Sequence, residues 1–387
     1  MTASRLAEIS LSEIVRIAER ARQMRAGGRD VISLGTGEPD FPTPPQVIEA
    51  AHRAALAGQT GYPPTAGTPE LREAVAEKHG CAPAQTIIST GAKQVIANAM
   101  LATLDPGDEV IIPAPFWTSY ADIVRLAEGV PVILPCPMET GFKLTPQALE
   151  AATTPRSRWL MLNSPSNPSG AVYSAAEFAA LASVLAAHPD IRVLSDEIYE
   201  HLSYAPFTTF TEAAPDLRER TLIVNGASKA WAMTGWRIGW GAGPAELIRD
   251  MITVQGQLTS GASSISQAAA LAALAMGPDI LSDRLAAFRA RRDVTVAGLD
   301  AIAGLSCPVP DGAFYCFPSC QALLSPAGPF ADDAALCLWL LEEAGVAVVP
   351  GRAFGMPGHL RLSFAYAEAQ ITEALTRMRT AIEGRGG

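Results

Sequence analysis

Between residues 108 and 226 the chain returns five times to one local pattern. Short apolar runs rich in β-branched residues, DEVIIP, VPVILP, RWLML, IRVLSD and RTLIVNG, begin at Asp108, Val130, Arg158, Ile191 and Arg220. Longer stretches with helical periodicity separate them. Near-continuous apolar runs belong to strands buried on both faces, and their alternation with helices demands a mainly parallel sheet covered on both sides. The expected fold class is therefore α/β. Thr68-Pro69 and Thr145-Pro146 each read as a cap followed by proline at the first helical position, and Ser174 to Glu177 fits a capping box.

After Met276 the pattern changes. ILSDRLAAFRARRDVTVAGLDAIAGL reads as a long bridging helix, and beyond it short strands in AFYCF and HLRLSFA mix with helices in LCLWLLEEAG and ITEALTRMRTAI. A smaller α+β domain is expected there. A helix before Gly27 joins it or grips a second subunit. The expected division is an N-terminal arm and part of the small domain over 1–45, a large domain over 46–280, and the bridging helix with the small C-terminal domain over 281–387. A chain of 387 residues is long enough for two cores.

The formal net charge of -10 argues against nucleic acid or an anionic membrane as the main partner. No apolar run approaches the ~20 residues that span a bilayer, and the N-terminus lacks the apolar segment of a signal peptide. The six cysteines are scattered without zinc-site spacing, so reduced packing cysteines, no metal and a cytoplasmic location are expected.

In open α/β sheets ligands bind beyond the carboxyl ends of the strands. RWLML runs into NSPSNPSG with Asn163 and Asn167. IRVL runs into SDEIYE with Asp196 and Tyr199, and RTLIVNG runs into ASK with Lys229. STGAKQ, with Thr90 and Gly91, adds a helix start whose free N–H groups attract an anion. In NGASKAWAMTGWRIGWG, Lys229 and Arg237 sit among three tryptophans, and cations in such surroundings need partners. A lysine beside apolar rings loses proton affinity, which suits it to form a Schiff base with an aldehyde. Amine, carboxylate, phenol, amides, anion site and arginine together are what pyridoxal phosphate requires. The chain lacks the glycine fingerprints of dinucleotide and nucleoside-triphosphate sites.

From VISLGTGEPDFPTP through YPPTAGTPELREAV, STGAKQ, NSPSNPSG and SDEIYEHLSY to SKAWAMTGWRIGW and HLRLSFA, the sequence resembles the class I and II aminotransferases of pyridoxal-phosphate fold type I. It is most similar to their prokaryotic aspartate aminotransferase branch. The resemblance implies a large cofactor domain, a small domain formed by both termini, and a homodimer with shared active sites.

It also implies roles. Lys229 would hold the cofactor and move the substrate's proton, Asp196 would face the pyridine nitrogen, and Tyr199 and Asn167 would donate to the phenolic oxygen. Gly91 and Ala92 would receive the phosphate on their backbone N–H groups, with Arg237 as its charged clamp and Tyr62 reaching it from the other subunit. Trp117 would stack on the ring. Arg361, helped by the backbone at Gly37, would bind the substrate's alpha-carboxylate. Lys93 would approach the distal carboxylate of an acidic substrate, with Ser10 and Ser12 in SLSEIV closing over it. The implied activity is transfer of the amino group of L-aspartate to 2-oxoglutarate by a ping-pong mechanism. SLSEIV and SGASSISQ depart from the family's form, which leaves room for an aromatic or other neutral side chain. A lyase or an inactive regulatory homologue on the same scaffold is the remaining alternative.

Overall fold

The computed structural model describes residues 3–6, 9, 13–277, 279–325 and 329–385; Ser10 and Ser12 lie outside these. Its centre is a seven-stranded sheet. In spatial order the strands are Thr86–Ser89, Gly239–Ala242, Thr221–Gly226, Arg192–Asp196, Ser157–Asn163, Glu109–Ala114 and Val130–Pro135. All run parallel except Gly239–Ala242, which is antiparallel to both neighbours.

Both faces of the sheet are covered, and successive residues show it. Trp159 and Met161 enter one core with Val110, Ile112 and Leu194. Leu160 and Leu162 enter the opposite core with Ile111 and Val193. The period of two along each strand splits one apolar run between two cores, which is why these runs carry no polar alternation.

Two strands of the sheet lie outside the five apolar runs: one is β-branched but only four residues long, and the other has no β-branched residue. Thr86–Ser89 is short, and Gly239–Ala242 has the sequence GWGA. Glycine is required in the second because a helix lies directly on it: a Cβ at Gly239 would stand 2.2 Å from the Ala92 nitrogen. Helix Ala92–Thr103 is thereby seated against the sheet where its first turn begins.

The helix starts follow the expected caps with one difference. The Thr145 side chain accepts from the Ala148 N–H, and Ser174 with Glu177 closes a capping box. Thr68 precedes Pro69 at the helix start but caps nothing with its side chain; its own N–H donates to Gln267 Oε1 at 2.8 Å.

The smaller α+β unit carries two small sheets. Ile32–Ser33 pairs in parallel with Val346–Ala347. Leu360–Ser363 lies between Val349–Pro350 and Tyr315–Cys316, antiparallel to both. Helix Asp279–Asp300 leads into this unit and packs on the terminal helix Glu368–Glu383. The helix Glu13–Ala26 belongs here too, with Ala21 and Met24 buried against Leu341 and Ala347. All six cysteines are free thiols and five are buried. Among the described residues no helix is long and apolar enough to cross a membrane.

Candidate active site

Asn163 and Asp196 end adjacent strands in register, and Asp196 is paired with Val224 on the next strand, five residues before Lys229. Strand order alone therefore gathers amide, carboxylate and amine on one rim. Beyond that rim lies a cavity of about 560 Å³. Lys229, Asp196, Tyr199, Asn167, Ala92, Lys93, Trp117, Arg237, Gly37 and Arg361 all line it. Its wall is completed by residues of both domains, Arg361 and Tyr315 coming from the small one.

Lys229 donates from Nζ to the Gly37 carbonyl oxygen at 2.6 Å. Burial lowers its proton affinity to a pKa of about 8, against the pull of the Glu38 carboxylate in the other direction. Asp196 is buried, and loss of hydration raises its carboxyl to about 6 even though Tyr120 donates to Oδ2 at 2.6 Å and the Ile198 N–H to Oδ1 at 3.2 Å. An acceptor so placed gains from facing a protonated nitrogen. Tyr199 is buried with its hydroxyl 2.8 Å from that of Tyr315, and burial raises its ionisation well above the ordinary value. It therefore stays a neutral hydroxyl through the neutral pH range.

Gly91 adopts φ 84° as the N-cap of Ala92–Thr103. Its own N–H donates to the Ser89 carbonyl at 2.7 Å. The first-turn amides of Ala92 and Lys93 are the ones left without intrahelical acceptors. Glycine is favoured by that left-handed φ; a Cβ there would also press on the end of the flexible Arg237 side chain, 2.5 Å from Nη2. Arg237 is exposed rather than interior, has φ 57°, and donates to the Thr234 carbonyl at 2.9 Å. Its tryptophan neighbours divide accordingly, with Trp231 and Trp240 buried and Trp236 partly so. Lys93 places its ammonium 4.9 Å from the centre of the Trp117 ring. Desolvation, followed by the nearby Arg237 charge, lowers its pKa.

Arg361 is 2% exposed. Nη1 donates to Asn167 Oδ1 at 3.0 Å and Nη2 to the Gly35 carbonyl at 2.6 Å, while Nε has no partner among the described residues. The guanidinium lies over the rings of Tyr315 and Phe354, 4.7 and 4.8 Å from their centres. No carboxylate among the described residues forms an ion pair with it. A buried cation held only by neutral acceptors on a cavity wall is prepared for an anion that enters from outside.

Tyr62 is not part of this cavity. It is 94% exposed on the loop before Pro63. Conversely, sequence reasoning missed Tyr120, Glu38 and Tyr315. Tyr120 was within reach, three residues after Trp117 on the first turn of Ser119–Leu126, whereas Tyr315 sat in a run that signalled only a strand.

The donor set fits pyridoxal phosphate. A partly exposed amine of lowered basicity and a buried carboxylate share one wall, a helix start and an arginine stand beside them, and the uncompensated Arg361 charge faces the same space. Fold and site together define a pyridoxal-phosphate-dependent enzyme of fold type I.

The comparisons with known proteins narrow this class. The family described as aminotransferase class I and II matches residues 29–378. The chain is 52% identical to an aspartate aminotransferase of Rhizobium meliloti, covering 98% of this chain and 96% of the relative. It is 50% identical to an aspartate/prephenate aminotransferase of Cereibacter sphaeroides, with 98% of each covered. The crystal structure of the aspartate aminotransferase from Rhizobium meliloti superposes with a TM-score of 0.95 over 99% of both chains at 51% identity. The chain belongs to the class I and II aminotransferases, and it is a pyridoxal-phosphate-dependent transaminase.

Proposed function

We propose that this transaminase exchanges the amino group of L-aspartate with 2-oxoglutarate in two alternating half-reactions, giving oxaloacetate and L-glutamate. The observation behind this reading is one cavity lined by the buried, carboxylate-free Arg361, by Lys229 and by a second cation at Lys93. Pyridoxal phosphate, when bound, supplies the aldehyde that carries the amino group and the ring that withdraws electrons from the substrate.

The protein's part follows from its geometry. Lys229 would hold the cofactor and would move the proton at the substrate's alpha carbon, a task suited to an amine of pKa about 8. Asp196 would face the pyridine nitrogen and favour its protonated form, with Tyr120 fixing the carboxylate's orientation. Tyr199 and the Asn167 amide would donate to the phenolic oxygen. Arg361 grips the alpha-carboxylate as a fork, oriented beforehand by Asn167 and Gly35. The Ala92 and Lys93 amides with Arg237 would take the phosphate, and Trp117 would cover the ring.

Lys93 is the proposed source of the preference for an acidic side chain. An ammonium near a second carboxylate lowers the KM for aspartate and does nothing for a phenyl group. Lys93→Ala is expected to raise KM for aspartate about tenfold, equivalent to about 1.4 kcal/mol, and to leave phenylalanine unchanged. Half-reactions run with acidic, aromatic and aliphatic donors measure this directly. An aromatic or aliphatic donor exceeding aspartate in kcat/KM in the native enzyme would remove the aspartate assignment and leave the transaminase intact. The name of the Cereibacter relative makes prephenate the first further acceptor to assay.

A symmetric homodimer with shared sites is part of this proposal. Tyr62 and Leu56 project into solvent at 94% and 76% exposure, the largest values among the exposed large apolar side chains of the described residues, and a second subunit would cover them. Tyr62 would then reach the partner's phosphate. Mixing Tyr62→Phe with Lys229→Ala subunits should restore one fully native site per verified heterodimer; heterodimers without recovered activity would refute the composite site. The proposed domain limits are 1–45 with 281–387 for the small unit and 46–280 for the large.

A further inference from the structure

Tyr315 touches more of this site than any role assigned so far explains. It lies fully buried on the strand Tyr315–Cys316, opposite Ser363 on the strand that carries Arg361. Its hydroxyl is 2.8 Å from that of Tyr199, which comes from the large domain. Its ring supports the Arg361 guanidinium at 4.7 Å. Its hydroxyl also occupies the space beside Gly37, where a Cβ would approach it to 2.6 Å, and the Gly37 carbonyl is the acceptor for Lys229.

We infer that Tyr315 is a positioning residue: it donates its hydroxyl hydrogen to Tyr199 and so links the carboxylate-binding arginine of the small domain to the phenol that serves the cofactor. The inference rests on the roles proposed above for Tyr199, Lys229 and Arg361. Each phenol has one hydrogen to donate. If Tyr199 directs its hydrogen at the cofactor's phenolic oxygen, only its lone pairs remain for the partner 2.8 Å away. Tyr315 must then be the donor. A hydroxyl that accepts one hydrogen bond donates a stronger one, so Tyr315 strengthens Tyr199 as a donor without touching the cofactor. The other titratable groups around the pair are Arg361, Tyr366 and Glu38 from the small-domain side and Asp196, Tyr120 and Lys229 from the large. None of these others is hydrogen-bonded to either hydroxyl among the described residues.

The test uses the loaded enzyme and a spectroscopic readout. A weaker donor at the phenolic oxygen leaves more negative charge there, and the proton shared with the Lys229 nitrogen is held to higher pH. Tyr315→Phe should therefore raise the pH midpoint of the bound cofactor's visible band by about half a unit, and Tyr199→Phe by more. The double variant should match Tyr199→Phe alone, because Tyr315 acts through Tyr199. Tyr315→Leu should give the same midpoint shift and, by removing the ring beneath Arg361, raise KM for aspartate and phenylalanine together. An unmoved midpoint in Tyr315→Phe, additive shifts in the double variant, or loss of cofactor by folded Tyr315→Phe would each overturn the inference. Native protein that forms no visible band with pyridoxal phosphate would overturn the cofactor assignment as well.

Discussion

Lys229→Ala should fold, dock pyridoxal phosphate noncovalently and lose transamination by about 10⁴-fold or more, because covalent anchoring and proton transfer disappear with one amine. The fold should survive because the side chain's single hydrogen bond among the described residues is to the Gly37 carbonyl and its charged form is held against the cost of burial. Borohydride treatment of the native enzyme should fix the label on the peptide containing Lys229. Label recovered on another lysine would end the assignment.

The same amine sets a pH dependence. Its pKa in the folded chain, about 8, lies below the ordinary 10.5, so the free amine accumulates at lower pH than in an exposed lysine. Capture of pyridoxal phosphate by the apoprotein should rise about tenfold per pH unit up to pH ~8 and then level. The linked effect on stability has the opposite reference. Between about 8 and 10.5 the unfolded chain binds the proton and the folded chain does not, so this group's contribution to stability rises with pH across that window. Below it the burial penalty is complete.

Arg361→Lys should lower kcat/KM by about 10²–10³ for aspartate and phenylalanine alike, with the cofactor's absorption retained. Lysine keeps the charge and loses the fork, so neither the Asn167 and Gly35 anchors nor a two-point grip on a carboxylate can be reproduced. Equal loss for both donors separates this residue from Lys93, whose removal should act on the acidic donor alone. A loss confined to aspartate would place Arg361 at the side chain and require the two cations to exchange roles.

The sheet was legible where its strands are buried on both faces. RWLML and IRVL are continuous apolar runs because alternate residues feed two different cores. GWGA was not legible, since its glycines record the closeness of helix Ala92–Thr103 rather than any preference of the strand. Lys229, Asp196 and Asn167 could be placed because they follow strand ends, where topology decides position. The role of Arg361 came from resemblance; its lack of a carboxylate partner is visible only in three dimensions. Tyr315 and Tyr120 are brought in by tertiary contact, and the Gly91 amide is committed to Ser89 by a turn that no spacing rule describes.

The helix Glu13–Ala26 packs on the small domain, and its residue Ile14 also lines the cavity that holds Lys229. The first turn of that helix is thus part of the wall of the reaction chamber, although more than two hundred positions separate it from the lysine. Affinity tags, fusion partners or trimming that displace this helix should therefore alter the kinetics as well as the handling of the enzyme. The helix Glu368–Glu383 contributes no residue to that cavity, which makes the carboxyl end the safer point of attachment for purification or immobilisation.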